Sequence, residues 1–249
     1  MWKLKVQNWY GINHYRLDRG GINLKIKKAT EITNDSATYL IYAQPGMGKT
    51  TALKYIPGKT LVIDIDKSSA VLAGCENIDV AEVDTHEIWD EWVAIVGELL
   101  KGAADEYDTI VIDNVSELFR STLANLGRKG NNNRVPSMAD YQRVDFTILD
   151  SLRALQKLNK RLVLTAWETS DTWTEPNGQQ FNRAMPDIRK SILTNFLGLC
   201  DVIGRLIVTE KEDGTQKRGF ILTSSPNVFA KNRLDDRKGC VVEELVKIE

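Results

Sequence analysis

The sequence is poor in the residues that build metal and disulfide sites. Its 249 residues include three cysteines. Cys75, Cys200 and Cys240 are far apart and lack CxxC spacing, so they read as reduced thiols of a cytoplasmic compartment. The two histidines, His14 and His86, are remote from the cysteines, which argues against zinc. No apolar run approaches the ~18 residues that a membrane span needs, so no membrane partner is expected. The first twenty residues hold no apolar stretch of export-signal length, so a cytoplasmic location is expected. Net charge is also nearly absent. Lys+Arg is 33 and Asp+Glu is 34, a formal −1, which excludes a wholly basic nucleic-acid-coating protein. It does not exclude a segregated basic face.

The charge is in fact segregated. Residues 1–30 carry seven basic residues and one acid, Asp18. Residues 76–108 carry eleven acids against Lys101 as their one Lys or Arg. Residues 120–139 carry Arg120, Arg128, Lys129 and Arg134 and no acid. Either each run is an ordinary solvated face, or the balance cancels between two surfaces, one acidic and one basic.

Short Val/Ile/Leu-rich runs recur at residues 37–42, 60–65, 109–112, 162–166 and 202–209. Runs of this kind suit strands buried on both faces. Helical patterns separate them at residues 50–55, 87–101, 115–126 and 138–158. In the last, Phe146, Leu149, Leu152, Leu155 and Leu158 predict one apolar face. The alternation predicts an α/β fold with a mostly parallel central sheet flanked by helices. Residues 206–223, with a turn at Asp213-Gly214, predict a C-terminal antiparallel hairpin. Two regions are expected, an appendage at residues 1–21 and a core at residues 22–249.

The most specific motif is Ala43-Gln44-Pro45-Gly46-Met47-Gly48-Lys49-Thr50, a phosphate-binding loop with Ala43 at its first glycine position. Backbone N–H groups of such a loop converge on phosphate oxygens, which favours Gly46 and Gly48. ATP is therefore expected to lie on Gln44, Pro45, Gly46, Met47, Gly48, Lys49, Thr50 and Thr51. Lys49 would reach the β- and γ-phosphates, and Thr50 would offer its hydroxyl to Mg²⁺. A second strand, Thr109-Ile110-Val111-Ile112-Asp113, ends in a carboxylate suited to the same ion. Hydrolysis needs a group to orient water. Asp64, Asp66 and Glu168 end strands and are all candidates. Period two puts Asp64 and Asp66 on one face, and a helix cap or surface charge is the other reading for one of them.

The order of the P-loop, TLVIDID, TIVID, LVLTAWE, a hairpin and then Ala230-Lys231-Asn232-Arg233 resembles the RecA superfamily core. More narrowly it is similar to phage P-loop ATPases, a group that includes RecA-like single-strand annealing proteins of recombination modules. That resemblance implies a RecA-like core and a Mg²⁺-dependent ATPase. It implies a catalytic carboxylate at Asp66, with Asp64 one pleat earlier, and a γ-phosphate sensor near Glu168. Lys231 and Arg233 match a pair that reaches a neighbouring subunit's ATP. The resemblance further implies single-stranded DNA as partner, held by two loops. These correspond to residues 127–137, with Arg128, Lys129 and Arg134, and residues 169–186, with Trp173, Phe181 and Arg183 and then Arg189 and Lys190. A homo-oligomer, as ring or filament, annealing or strand exchange, a single-strand-binding protein as further partner and a host-cell cytoplasmic location complete the expectation. The alternatives are a helicase loader of the AAA+ type and a nucleotide-gated replication module with little hydrolysis.

Overall fold

A computed structural model of the chain describes residues 28–31, 34–210, 214 and 216–246. The chain divides into two compact units, Met1–Thr33 and Asn34–Glu249. Of the first unit only residues 28–31 are described, with a 3-10 turn at Ala29–Glu31. The expected appendage at residues 1–21, with its cations, lies outside the described residues.

Among its described residues the second unit is built on one sheet of ten strands. In chain order they are β1 (Thr38–Ala43), β2 (Thr60–Asp64), β3 (Ile78–Glu82), β4 (Thr109–Asp113), β5 (Arg161–Thr174), β6 (Gln180–Pro186), β7 (Val202–Glu210), β8 (Gln216–Ile221), β9 (Lys231–Asn232) and β10 (Gly239–Val241). The spatial order is β10-β8-β7-β1-β5-β4-β2-β3, with β6 on β5 and β9 on β7. Pairs within β7-β1-β5-β4-β2-β3 are parallel, whereas β8, β9, β10 and β6 join antiparallel. The expected α/β class and C-terminal antiparallel strands are therefore present. The acid-rich stretch contributes the edge strand β3, whose alternation is too polar to stand out as a buried apolar run.

Every residue of β1 and of β4 is buried. Period two sends their side chains alternately into two cores. On one face Leu40, Tyr42, Ile110 and Ile112 meet Trp92, Leu118, Ile148 and Phe196. On the other, Tyr39, Ile41, Val111 and Val163 meet Leu53, Ile56, Leu72 and Leu245. The first core is roofed by α2 (Ile88–Glu98), α3 (Val115–Lys129), α4 (Met138–Gln156) and α5 (Leu193–Leu199). The helix α1 after the P-loop is short, Lys49–Ala52, and tightens into a 3-10 turn at Leu53–Tyr55 ahead of Pro57.

α4 corrects one detail. Val144, Ile148, Leu149, Leu152 and Leu155 face the core, whereas Phe146 is 74% exposed. A strict repeat of three drifts around a helix of 3.6 residues per turn, so Phe146 leaves the buried stripe. Its start is fixed by a capping box in which Ser137 accepts from the Asp140 amide and Asp140 accepts from the Ser137 amide. Among the described residues no helix is long and apolar enough to cross a membrane.

Residues 169–186, expected as a loop, are instead a β-hairpin. β5 pairs with β1 through Trp167, then continues past Glu168 as one arm against β6. Polar, β-branched and aromatic residues on either side of Pro176-Asn177-Gly178 explain it, because they supply strand arms around a turn.

Candidate functional site

Parallel strands present their carboxyl ends along one edge of a sheet, which is where α/β proteins place ligands. Here that edge collects the P-loop after β1, Asp66 after β2, Asp113 on β4, and Trp167 and Glu168 on β5. A cavity of about 250 Å³ lies among Pro45, Gly46, Gly48, Lys49, Thr50, Thr51, Asp66, Ser68, Val71 and Trp167. The loop's glycines carry its shape, with φ at +78° for Gly46 and +94° for Gly48.

Lys49 is buried, and its Nζ donates to the carbonyls of Ala43 at 3.1 Å and Gln44 at 3.2 Å. Burial lowers its pKa, opposed by the negative charges of Asp113, Asp66 and Glu168. Thr50 Oγ1 donates to Asp113 Oδ2 at 2.7 Å and lies 2.8 Å from Ser68 Oγ. Ser68 Oγ also donates to Asp113 Oδ2, at 3.2 Å, and Thr165 Oγ1 donates to Asp113 Oδ1. Desolvation raises the Asp113 pKa, and the three hydroxyls pull it back down. A hydroxyl beside a carboxylate is a hard oxygen donor set, which fits Mg²⁺ arriving with substrate phosphates. Among the described residues no group of three or more His, Cys, Asp or Glu is arranged for a metal.

The structure separates the three carboxylate candidates. Asp64 accepts from the amides of Ser68 at 3.0 Å and Ser69 at 3.2 Å, so it caps the turn that follows β2. Asp66 lines the cavity beside Lys49 and Thr50. Its Oδ2 accepts from Asn114 Nδ2, while its Oδ1 is buried without a hydrogen-bond partner. Glu168 is clamped by Arg205 through bonds of 2.8 and 2.9 Å and accepts from Gln44 Nε2 at 3.5 Å. Asp64 and Glu168 thus differ from Asp66 in their partners. Both oxygens of each are already in use, in a turn cap and in an ion pair.

Lys231 and Arg233 have partners within the chain. Lys231 Nζ donates to the carbonyls of Leu197 at 3.0 Å and of Cys200. Arg233 Nη1 reaches the Gly198 carbonyl at 3.5 Å. Both cations sit on the C-terminal end of α5, where unpaired carbonyls and the helix dipole attract them.

Most of the expected DNA-contacting cations also have internal partners. Arg128 donates to the His86 carbonyl at 2.7 Å, and Lys129 bridges Glu87 and Asp90 at 2.7 Å each. The acid-rich stretch thus neutralises the basic end of α3 directly, and the two charge runs share a surface rather than opposing each other. Arg189 pairs with Asp145 at 2.6 Å and stacks on Tyr141. Arg183 lies between the rings of Trp173 and Phe229, at 4.4 and 5.3 Å, and donates to Ser224 at 2.7 Å. Lys190 pairs with Asp171 but is 80% exposed, and Arg134 is exposed on its loop. Trp173, 43% exposed, stands opposite Phe181 across the β5–β6 hairpin.

Several site residues were not singled out from the sequence. Ser68, Asn114 and Thr165 join the carboxylates only through the sheet register, where Asp64 pairs with Asp113. Arg205 pairs with Tyr42 beside the P-loop strand. Arg218, on β8, leans over the P-loop with its Nε 3.4 Å from the Met47 carbonyl. A Cβ on Gly48 would lie 3.1 Å from that Nε, a contact the exposed Arg218 side chain can relieve, so the positive φ is what favours glycine there. Trp167, which lines the cavity, is stacked by Arg120 at 4.7 Å.

A family model described as an AAA domain (AAA_24) matches residues 35–234. The chain belongs to this AAA-domain family. A search of curated proteins finds no significant match. Among solved structures, the AAA domain is similar to the flagellar accessory protein FlaH of Methanocaldococcus jannaschii, with a TM-score of 0.44 and 13% identity over 82% of this chain and 83% of that one. It is also similar to the KaiC-like protein PH0186 of Pyrococcus horikoshii OT3, with a TM-score of 0.42 and 13% identity over 75% and 77% of the two chains.

Proposed function

We propose that this AAA-domain protein is a Mg²⁺-dependent ATPase in which Asp66 activates the attacking water. One observation carries the reading. Lys49, Thr50 and Asp66, with its unpartnered Oδ1, line one cavity, and Asp113 holds Thr50 from behind. Phosphate oxygens take the N–H groups of residues 46–51, and Lys49 exchanges the Ala43 and Gln44 carbonyls for them. Thr50 and Asp113 are the residues that would hold Mg²⁺, which would supply charge neutralisation at the phosphates when bound. Water oxygen bonds to the γ-phosphorus as the bond to the β–γ bridging oxygen breaks. Asp66 Oδ1 takes the water's proton, and the electron pair leaves with ADP.

The finer reading follows the RecA-like resemblance. Single-stranded DNA is the partner, bound along the β5–β6 hairpin, where Trp173 offers a face for base stacking and Phe181 supports it. Arg134 and Lys190 supply phosphate contacts. What supports this is that β5 runs without a break from Trp167, at the nucleotide cavity, to Trp173. Lys129 and Arg189 lie outside this surface because acids pair them, Arg128 because it donates to the His86 carbonyl, and Arg183 because it is stacked on Trp173 and Phe229. In this reading a homo-oligomer supports annealing or strand exchange for a phage recombination module, alongside a single-strand-binding protein. Anisotropy of a labelled oligonucleotide tests it. Binding at micromolar protein that depends on ATP and salt is expected, and its absence contradicts the DNA reading.

A second reading, a nucleotide-gated module with little hydrolysis, is favoured by one observation. Lys231 and Arg233 each donate to carbonyls at the end of α5, which supports a site without a cation supplied by a neighbouring subunit. Phosphate release measured with and without DNA separates the two.

A further inference from the structure

Asp113 is followed by a buried asparagine whose amide has two jobs. Asn114 Oδ1 accepts the Glu117 amide at 2.7 Å and so N-caps α3. That bond fixes which way the amide faces. Its Nδ2 is then directed at Asp66, where it donates to Oδ2. The Asp66 carboxyl is held at one oxygen, while its other oxygen is left buried and without a partner next to the cavity that holds Lys49 and Thr50. A carboxylate free to rotate would present either oxygen, or neither, to a water at the γ-phosphate. One held at Oδ2 by a buried amide keeps one orientation, with Oδ1 as its unengaged oxygen.

We infer that Asn114 is a positioning residue for the hydrolytic water, acting through Asp66. The inference rests on the proposed role of Asp66. It assigns to one side chain both the start of α3 and the aim of the base, so that a shift of α3 moves the base as well. Held geometry of this kind is a large part of what a catalytic site contributes, since an ångström of misplacement costs on the order of a hundredfold in rate.

The test separates the cap from the aim. Serine is among the best N-cap residues, so Asn114→Ser keeps an acceptor for the Glu117 amide but has no amide to offer Asp66. Asn114→Thr, also a capping residue, repeats the experiment should the serine variant fold poorly. The measurements are the melting temperature, Mg²⁺–ATP affinity and single-turnover hydrolysis with enzyme in excess, in the native and the Asp66→Asn backgrounds. The expected result is an affinity within about twofold and a rate at least about tenfold lower in the native background. In the Asp66→Asn background the same change should cause no further loss, because groups acting as one unit are not additive. An unchanged rate, or an equal loss in both backgrounds, overturns the inference. If the native protein releases no phosphate, or Asp66→Asn keeps the native rate, the ATPase reading itself fails. That result is visible before any Asn114 variant is measured, and the inference falls with it.

Discussion

Thr50 and Asp113, sixty-three residues apart, share a hydrogen bond of 2.7 Å, Thr50 at the lining of the nucleotide cavity and Asp113 buried beneath it. The bond joins the P-loop to the carboxylate that ends β4, and it places the two expected Mg²⁺-binding groups side by side. It also keeps a carboxylate buried, with only hydroxyls and no cation among its hydrogen-bond partners. The site is arranged for a charge that arrives with the substrate.

A stability prediction follows from that arrangement. Burial raises the Asp113 pKa in the fold, so the folded state takes up a proton more readily than the unfolded chain does. The folded state therefore gains from protonation at low pH, and that gain is lost as pH rises through the raised pKa. At neutral pH the ionised group costs stability. Asp113→Asn should melt higher than the native protein without ligand, by about 2–4 °C for ~1 kcal/mol in a chain of this size. Mg²⁺–ATP should raise the native melting temperature and leave that of Asp113→Asn nearly unchanged. Thermal denaturation at pH 7 measures both.

Lys49 makes a simpler prediction. Lys49→Ala removes a charged donor from the β- and γ-phosphates, an interaction worth ~1.5–3 kcal/mol. The ATP dissociation constant should rise about 10- to 100-fold, by titration with a fluorescent ATP analogue.

The Glu168–Arg205 pair predicts a loss of stability with activity largely retained. Glu168 is 7% exposed and Arg205 29% exposed, so Glu168→Gln strands a half-buried guanidinium. The expected cost is about 1–3 kcal/mol, below the range for fully buried pairs because Arg205 reaches water. Urea denaturation should show the lower midpoint, while ATP hydrolysis stays within about threefold of native. A loss of hydrolysis with unchanged stability would return Glu168 to the list of bases.

Much of this site is legible in the sequence because its parts are local. The P-loop is one contiguous turn, and residues 109–113 are a buried strand that ends in its own carboxylate. What escaped is what only register supplies. Thr165, Ser68 and Asn114 look like ordinary polar residues until β2, β4 and β5 are laid side by side. The partners of Lys231 and Arg233 are set by the fold in the same way. A Lys-x-Arg spacing says nothing about the α5 carbonyls that the fold brings to it. The hairpin at residues 169–186 is legible in its residues. Pro176-Asn177-Gly178 between Thr172-Trp173-Thr174 and Gln180-Phe181 is a turn between two strand-forming arms.

The DNA reading predicts a separation of effects at the hairpin. Trp173→Ala removes a stacking face worth ~1–3 kcal/mol per base. Oligonucleotide affinity should fall about fivefold or more, by anisotropy, with DNA-free hydrolysis unchanged. Lys129→Ala, whose charge is already shared by Glu87 and Asp90, should change that affinity by less than about twofold.

The most direct test of the account is phosphate release from Mg²⁺–ATP by the native protein and by Asp66→Asn, with ATP affinity measured on both. The account predicts hydrolysis by the native protein and ATP binding by the variant within about threefold of native. It predicts a variant rate at least about a hundredfold lower, the usual size of a general-base contribution. A native protein that binds ATP and releases no phosphate, or an Asp66→Asn protein that hydrolyses at the native rate, would contradict it.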